Sequence, residues 1–212
     1  MAKFLRYLAW TAAILGVLIG VLRLTVIRWW QVPSGDPYLD SSISPTLHGG
    51  DWVISWRGSM PKDGDLTMCL EPKANRPVIG RIVGLQGEHV KMDHDMLVLN
   101  DKAAENDTSC DAFKSRDPAT GLELKQPCSV EVVADKGHLL GAMGSNTSAQ
   151  PASADVTVTE GQAFLASDNR LFPWDSRDFG LVDRSTCSET IVFRLVSKDG
   201  FFDVANRLSL IR

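Results

Sequence analysis

The sequence predicts a mainly β domain preceded by one N-terminal transmembrane helix. Three observations carry this. From Tyr7 to Leu22 no residue is charged, and extension through Arg23 to Ile27 gives about 31 Å of helix, the thickness of a bilayer core. After Pro33 the chain breaks into brief runs rich in β-formers, punctuated by Gly, Pro and Asp in PKDGD, MDHD and SKDG. Beyond residue 35 no amphipathic pattern lasts more than about three helical turns.

In the anchor, Arg23 is placed to snorkel, and Trp29 and Trp30 fall where an interfacial aromatic belt would lie. A cleaved signal peptide is the rival reading, because Lys3 and Arg6 precede the apolar run, but no Ala-x-Ala-like site follows. Lys3 and Arg6 on one side are balanced by Arg23 and Arg28 on the other, so charge alone sets no orientation. The expected strands are Asp51–Trp56, Leu66–Leu70, Val78–Leu85, Val90–Met92, Met96–Leu99, Val156–Val158, Ala163–Ala166 and Ile191–Val196. The organisation that follows is an N-terminal tail over residues 1–6, an anchor over 7–27, a β core over 28–100 and 156–212, and an inserted subdomain or loop over 101–155. The insertion ends in the low-complexity SNTSAQPASAD, too polar to pack. Asn106-Asp-Thr and Asn146-Thr-Ser fit a glycosylation pattern, but triplets this short recur by chance. GHLLGAMG at 137–144 lacks the Lys-Ser or Lys-Thr of a phosphate loop and is expected to mark a bend between strands.

With 212 residues and 44% hydrophobic content, the chain supports an anchor and one domain with a real core. A net charge of −4 and the absence of a basic patch interleaved with aromatics exclude nucleic acid as a natural partner. Four scattered histidines and no C-x-x-C argue against a metal site, and nothing in the sequence calls for a cofactor. Cys110 and Cys128 flank a polar, loop-like stretch where an exported protein would place a disulfide, worth about 3 kcal/mol. Cys69 in an apolar run and Cys187 in a polar one are open to either pairing or free thiols.

Residues 167–180 read SDNRLFPWDSRDFG, a density of charge that no core strand uses. The D-N-R, four residues, D-S-R, two residues, G spacing resembles the GDNR…DSR..G signature of the signal peptidase I family. SISPTLHGGD at 42–51 resembles that family's S-M-x-P-T-L-x-x-G-D segment, and IGRIVGLQG at 79–87 its K-R-x-x-G-x-x-G element, followed by LVLND. The resemblance covers nearly the whole chain and is weakest between residues 101 and 160. It implies a coiled β-sheet core with an inserted subdomain and a single-pass protein of the bacterial inner (cytoplasmic) membrane. Its domain would lie outside the cytoplasm, and its partners would be exported preproteins or their signal peptides. It also implies a serine endopeptidase that removes signal peptides, with Ser42 as nucleophile and Asp168, Asn169, Arg170, Arg81, Asp175, Ser176 and Arg177 as supports.

The family's chemistry uses a lysine kept neutral by burial as the proton acceptor for the serine. That position is Gly80, which has no side chain. The hydroxyl that orients the lysine is replaced by Pro173, the first glycine of GDNR by Ser167, and an oxyanion-supporting serine by Asp40, whose carboxylate opposes developing negative charge. Ser34 in VPSG is read as a displaced relic of that serine, separated by an insertion around DPYLD. Lys73 and His48 are the substitute bases to consider. Asp175, paired with Arg81 or Arg177, would be a weak one. His89, His94 and Lys91 read as surface residues. Two alternatives stand beside the endopeptidase: a catalytically inactive homologue that binds peptides or an envelope complex, and a peptidase dedicated to one conjugation or pilus component.

Overall fold

The computed structural model describes residues 2–144 and 151–211; the Asn146-Thr-Ser triplet and part of the low-complexity stretch lie outside them. Helix α1 (Ala2–Thr25) is exposed along nearly its whole length. Its Lys3–Thr25 part has a mean hydropathy of 1.9 in its most apolar window and is long enough to cross a membrane. Thr11 and Thr25 donate their hydroxyls to carbonyls one turn back, at 2.8 Å each, so neither presents an unpaired polar group. The helix ends two residues before the expected limit: Ile27 already opens β1 (Ile27–Gln31), where Arg28 pairs with Glu189 at 2.9 Å.

After a loop, Asp36 accepts hydrogen bonds from the N–H groups of Tyr38 and Leu39, and Pro37 takes the first helical position, which starts the short helix α2 (Pro37–Ile43). Strands β2 (Trp52–Trp56), β3 (Leu66–Leu70) and β4 (Pro77–Leu85) follow. Next come β5 (His89–Asp93), β6 (Met96–Leu99), β7 (Lys102–Ala103), β8 (Glu105–Arg116), β9 (Glu123–Val133) and β10 (Lys136–Gly141). The chain closes with β11 (Ala154–Thr157), β12 (Gln162–Ala166), helix α3 (Ser176–Phe179), β13 (Val182–Asp183), β14 (Glu189–Val196) and β15 (Ser209–Leu210). The eight expected strands are all present within a few residues.

The main sheet has the order β1-β2-β14-β3-β4-β12-β13, with β15 added to β14. Register shifts in β12–β4 and β14–β2 bend it, as bulges do. A second sheet has the order β11-β5-β6-β7 and a third β10-β9-β8. In β2 the pleat alternates cleanly: Val53 and Ser55 are fully buried, while Trp52 and Trp56 are about two-fifths exposed. Helix α2 contributes Leu39 and Ile43 to a core cluster with Val32, Leu47, Val53, Leu66, Ile79 and Ile191, which fixes the backbone on either side of Ser42.

Two expectations about the insertion are corrected. The stretch from Cys110 to Cys128 is not loop-like: both cysteines lie in strands, directly opposite in the β8–β9 register, and are disulfide-bonded. The polar side chains that suggested a loop cover the exposed face of a two-stranded ribbon. GHLLGAMG is no bend, because Gly137–Gly141 pairs with β9 through Gly137↔Val132 and its neighbours. Cys69 and Cys187 are likewise bonded to each other rather than free, tying β3 to the turn before β14 across 118 residues of sequence.

Candidate functional site

The SDNR segment runs straight through the interior. Ser167, Asp168, Asn169 and Arg170 are each at most 1% exposed, and each has a distinct set of partners. Asn169 donates its backbone N–H to the Ser42 carbonyl at 3.0 Å and its Nδ2 to Ser44 Oγ at 3.1 Å. Its Oδ1 accepts from Gln126 Nε2 at 2.7 Å and from the N–H groups of Leu171 and Phe172. One buried amide thus joins the Ser42 segment, β9 and its own loop, and satisfies nearly all its valences in doing so.

Arg81 on β4 binds Asp168 with two parallel bonds, Nε–Oδ1 at 2.9 Å and Nη2–Oδ2 at 2.8 Å, and donates Nη1 to the Gly64 carbonyl at 2.6 Å. Burial alone would raise the Asp168 pKa, but the charges of Arg81 and His138 and the hydrogen bonds hold it below the usual carboxylate value. Asp175 caps α3, accepts from the Arg177 N–H and pairs with the Arg177 guanidinium at 3.0 and 2.8 Å. Its pKa is low by the same logic, with Arg177 overriding burial, so it remains a weak base. Its Oδ2 also accepts the Ser167 N–H, and Ser176 Oγ accepts the Leu165 N–H at 2.9 Å. These carboxylates and arginines brace backbone around the site.

Gly80 and Ser42 are both closely packed. A side chain begun at Gly80 would place its Cβ 3.2 Å from Leu165 Cβ and 3.3 Å from the Ala166 carbonyl oxygen, so Leu165 fills the room next to the position that a lysine would occupy. Ser42 is completely buried, and its hydroxyl donates to the Leu39 carbonyl at 3.0 Å, within its own helical turn. Lys73 is exposed in the 71–76 turn and makes no hydrogen bond or ion pair among the described residues. Ser34 is exposed in the loop before α2. His89, His94 and Lys91 lie on the β5–β6 hairpin with their side chains 39%, 55% and 53% exposed.

His48 is not a free surface histidine. Its Nδ1 lies 3.7 Å from Asp40 Oδ1, which also accepts the Gly49 N–H at 2.6 Å. Burial pushes the Asp40 pKa up, and the nearby His48 and the hydrogen bond from the Gly49 N–H outweigh it and bring the group below its ordinary value. Asp40, His48, Ser41 and Ser44 all line a cavity of about 680 Å³ between the Ser42 segment and the β8–β9 ribbon. Ser42 itself is not on its wall.

Two buried titratable neighbours of the SDNR segment escape a reading by sequence. Glu131 on β9 and His138 on β10 are buried against the SDNR segment: Glu131 pairs with Arg170, and His138 Nε2 stands 3.3 Å from Glu131 and 3.7 Å from Asp168. Burial and the Arg81 charge depress the His138 pKa despite its two carboxylate neighbours. The only signal was the alternation of small and apolar residues in GHLLG, which fits a strand as well as a bend.

The chain thus combines an apolar helix long enough to cross a membrane, a bent β core and a buried serine segment stitched to an internally paired Asp-Asn-Arg loop. The sequence profile described as signal peptidase, peptidase S26 matches residues 5–196, and the chain belongs to that family. Among curated relatives it is 29% identical over 185 residues to signal peptidase I of Bacillus licheniformis, covering 84% of this chain and 83% of that one. It is 24% identical over 189 residues to signal peptidase I of Streptococcus pneumoniae, covering 84% and 88%. A crystal structure of a signal peptidase I from Enterococcus faecalis aligns with 62% of this chain and 97% of its own, at 24% identity and a TM-score of 0.37.

Proposed function

We propose that this protein receives the signal-peptide region of exported proteins at a bacterial membrane, as a signal peptidase I-like module in which the family's Ser–Lys proton transfer is absent. Membership of the family and relatives named signal peptidase I support the substrate class. The observation that carries the loss of chemistry is the joint state of two positions: Gly80 with Leu165 packed against it, and Ser42 with its hydroxyl committed to the Leu39 carbonyl. A positioned base is worth about 10²–10⁴-fold, and a serine without one is a poor nucleophile at neutral pH.

The test is a synthetic peptide spanning a signal-peptide cleavage region, offered to the detergent-solubilised full chain between pH 6 and 10. Saturable binding without cleavage, the same for wild type and Ser42→Ala, is the expected result. Cleavage that depends on Ser42 would overturn it. A second reading, a Ser42 endopeptidase with a new base, is favoured by one observation, the Asp40–His48 contact beside the serine segment. In that case cleavage would be lost in His48→Gln as well as in Ser42→Ala.

A further inference from the structure

The two disulfides sit in opposite surroundings. Cys69 and Cys187 are 1% and 0% exposed, sealed in a core cluster with Val78, Ile82 and Val182. Cys110 and Cys128 line the wall of the cavity of about 680 Å³, with Cys110 half-buried and Cys128 8% exposed. A thiolate exchanges only with a sulfur that it can reach from solvent, so access separates an inert bridge from an exchangeable one.

The strands around Cys110–Cys128 allow that bond to open. Beside it, Asp111 and Ala112 of β8 oppose the single residue Pro127 of β9, a bulge that loosens the outer strand locally. Ser109↔Ser129 on one side and Phe113↔Gln126 on the other keep the ribbon paired. Cys128 is held further by its pairing with Gly141 of β10. Cys110 is therefore on the yielding strand and Cys128 on the fixed one.

The cavity volume lies within the range of about 300–1,000 Å³ typical of small-molecule sites. Its lining carries both signs, with Lys114 and Lys198 against Asp40, Asp111 and Asp199. A ligand of one charge meets repulsion as well as attraction there. A ligand that carries both an ammonium and a carboxylate can pair at each end.

We propose that Cys110–Cys128 is a thiol–disulfide exchange site for a small zwitterionic thiol, which enters this cavity and becomes attached to Cys110. The incoming thiolate sulfur bonds to Cys110 Sγ, the bond between the two Sγ atoms breaks, and its electron pair leaves on Cys128, which takes up a proton from water. The thiol sulfur is oxidised to a mixed disulfide and Cys128 is reduced to a thiol, so no other oxidant or reductant is needed. Attack by Cys128 on Cys110 Sγ expels the thiol and reverses the step. The attached group would lie beside Ser41 and Ser44, which line the same cavity. The site is independent of the function proposed above.

The experiment treats the full chain in detergent with glutathione, a zwitterionic thiol, or with 2-mercaptoethanol, a neutral one. Samples are quenched in acid at intervals and the bonded cysteines are mapped by mass spectrometry. Each opening rate is divided by that of the same thiol on a linear peptide disulfide, which removes differences in thiol reactivity. Cys110–Cys128 is expected to open while Cys69–Cys187 stays closed, with glutathione favoured by about threefold to fivefold, the worth of one exposed ion pair. Lys114→Ala with Lys198→Ala is expected to erase that preference. In Cys128→Ser, oxidised glutathione is expected to leave a stable adduct on Cys110, with the melting temperature as the control for folding. Opening of both disulfides at equal rates, or no adduct on folded Cys128→Ser, would overturn the exchange site. Equal corrected rates for the two thiols would overturn its preference for a zwitterion.

Discussion

Arg81 and Asp168 face each other through two parallel hydrogen bonds, with both side chains 1% exposed. They come from strand β4 and the SDNR loop, and the pair locks that loop against the strand that carries Gly80. Fully desolvated charges are costly singly and tolerable only together. Asp168→Ala would leave the Arg81 charge buried with only the Gly64 carbonyl as partner, at a cost of about 3–5 kcal/mol. The expected outcome is a large drop in the denaturant midpoint, with Arg81→Ala similar and the double variant less than the sum. Additive losses would show that the two residues do not act as a unit.

Gly80 stands where the family resemblance places a lysine. Gly80→Lys alone is expected to yield no signal-peptide cleavage and to destabilise the fold by about 1–3 kcal/mol, since its Cβ meets Leu165 and the Ala166 carbonyl. Leu165→Ala combined with Gly80→Lys keeps both close atoms, Leu165 Cβ and the Ala166 carbonyl oxygen, and is expected to be no more stable than Gly80→Lys alone. Thermal unfolding of the two variants checks it, and a Gly80→Lys protein as stable as wild type would mean that the neighbouring strand yields freely.

The buried His138 makes stability depend on pH in a defined direction. Its folded pKa lies below the ordinary value of 6.5, so over the window just below pH 6.5 the unfolded chain binds more protons than the folded one. Its contribution is therefore full above pH 6.5 and is lost as pH falls toward the folded pKa. Asp63 works in the opposite sense: burial and the Glu88 charge raise it to about 6, so acidification from pH 6 toward 4 favours the folded state through that group. Comparison of wild type with His138→Asn cancels Asp63. The expected difference is a smaller loss of melting temperature in His138→Asn between pH 7 and pH 5.5; equal losses would show that His138 does not titrate in this range.

Much of this architecture was legible because local patterns coincide with tertiary roles. Val78–Leu85 reads as a buried strand and is one, since seven consecutive residues from Val78 to Gly84 are covered on both faces. SDNR…DSR reads as a site loop because so many charges in register can be buried only by pairing with one another. The insertion was illegible for the converse reason. Ribbon β8–β9 keeps polar side chains on its exposed face and carries glycine and proline near its strands, so its composition mimics a loop. Asp40–His48 was hidden for another reason. The contact depends on α2 turning Asp40 back toward Gly49, a consequence of the Asp36 cap and Pro37 rather than of any spacing between the two residues.

The two disulfides differ in how much chain they constrain, and that difference is measurable. Cys69–Cys187 closes 118 residues and Cys110–Cys128 closes 18. In the chain-entropy model the first removes about 4.7 kcal/mol of freedom from the unfolded state and the second about 3 kcal/mol. The longer link also lies in a fully buried cluster with Val78, Ile82 and Val182, so paired alanine substitution leaves small voids there. The shorter one joins adjacent strands that remain paired by the β8–β9 ladder without it. Replacing Cys69 and Cys187 together is therefore expected to lower the denaturant midpoint clearly more than replacing Cys110 and Cys128. Equal losses would mean that the inserted ribbon depends on its disulfide for more than chain entropy.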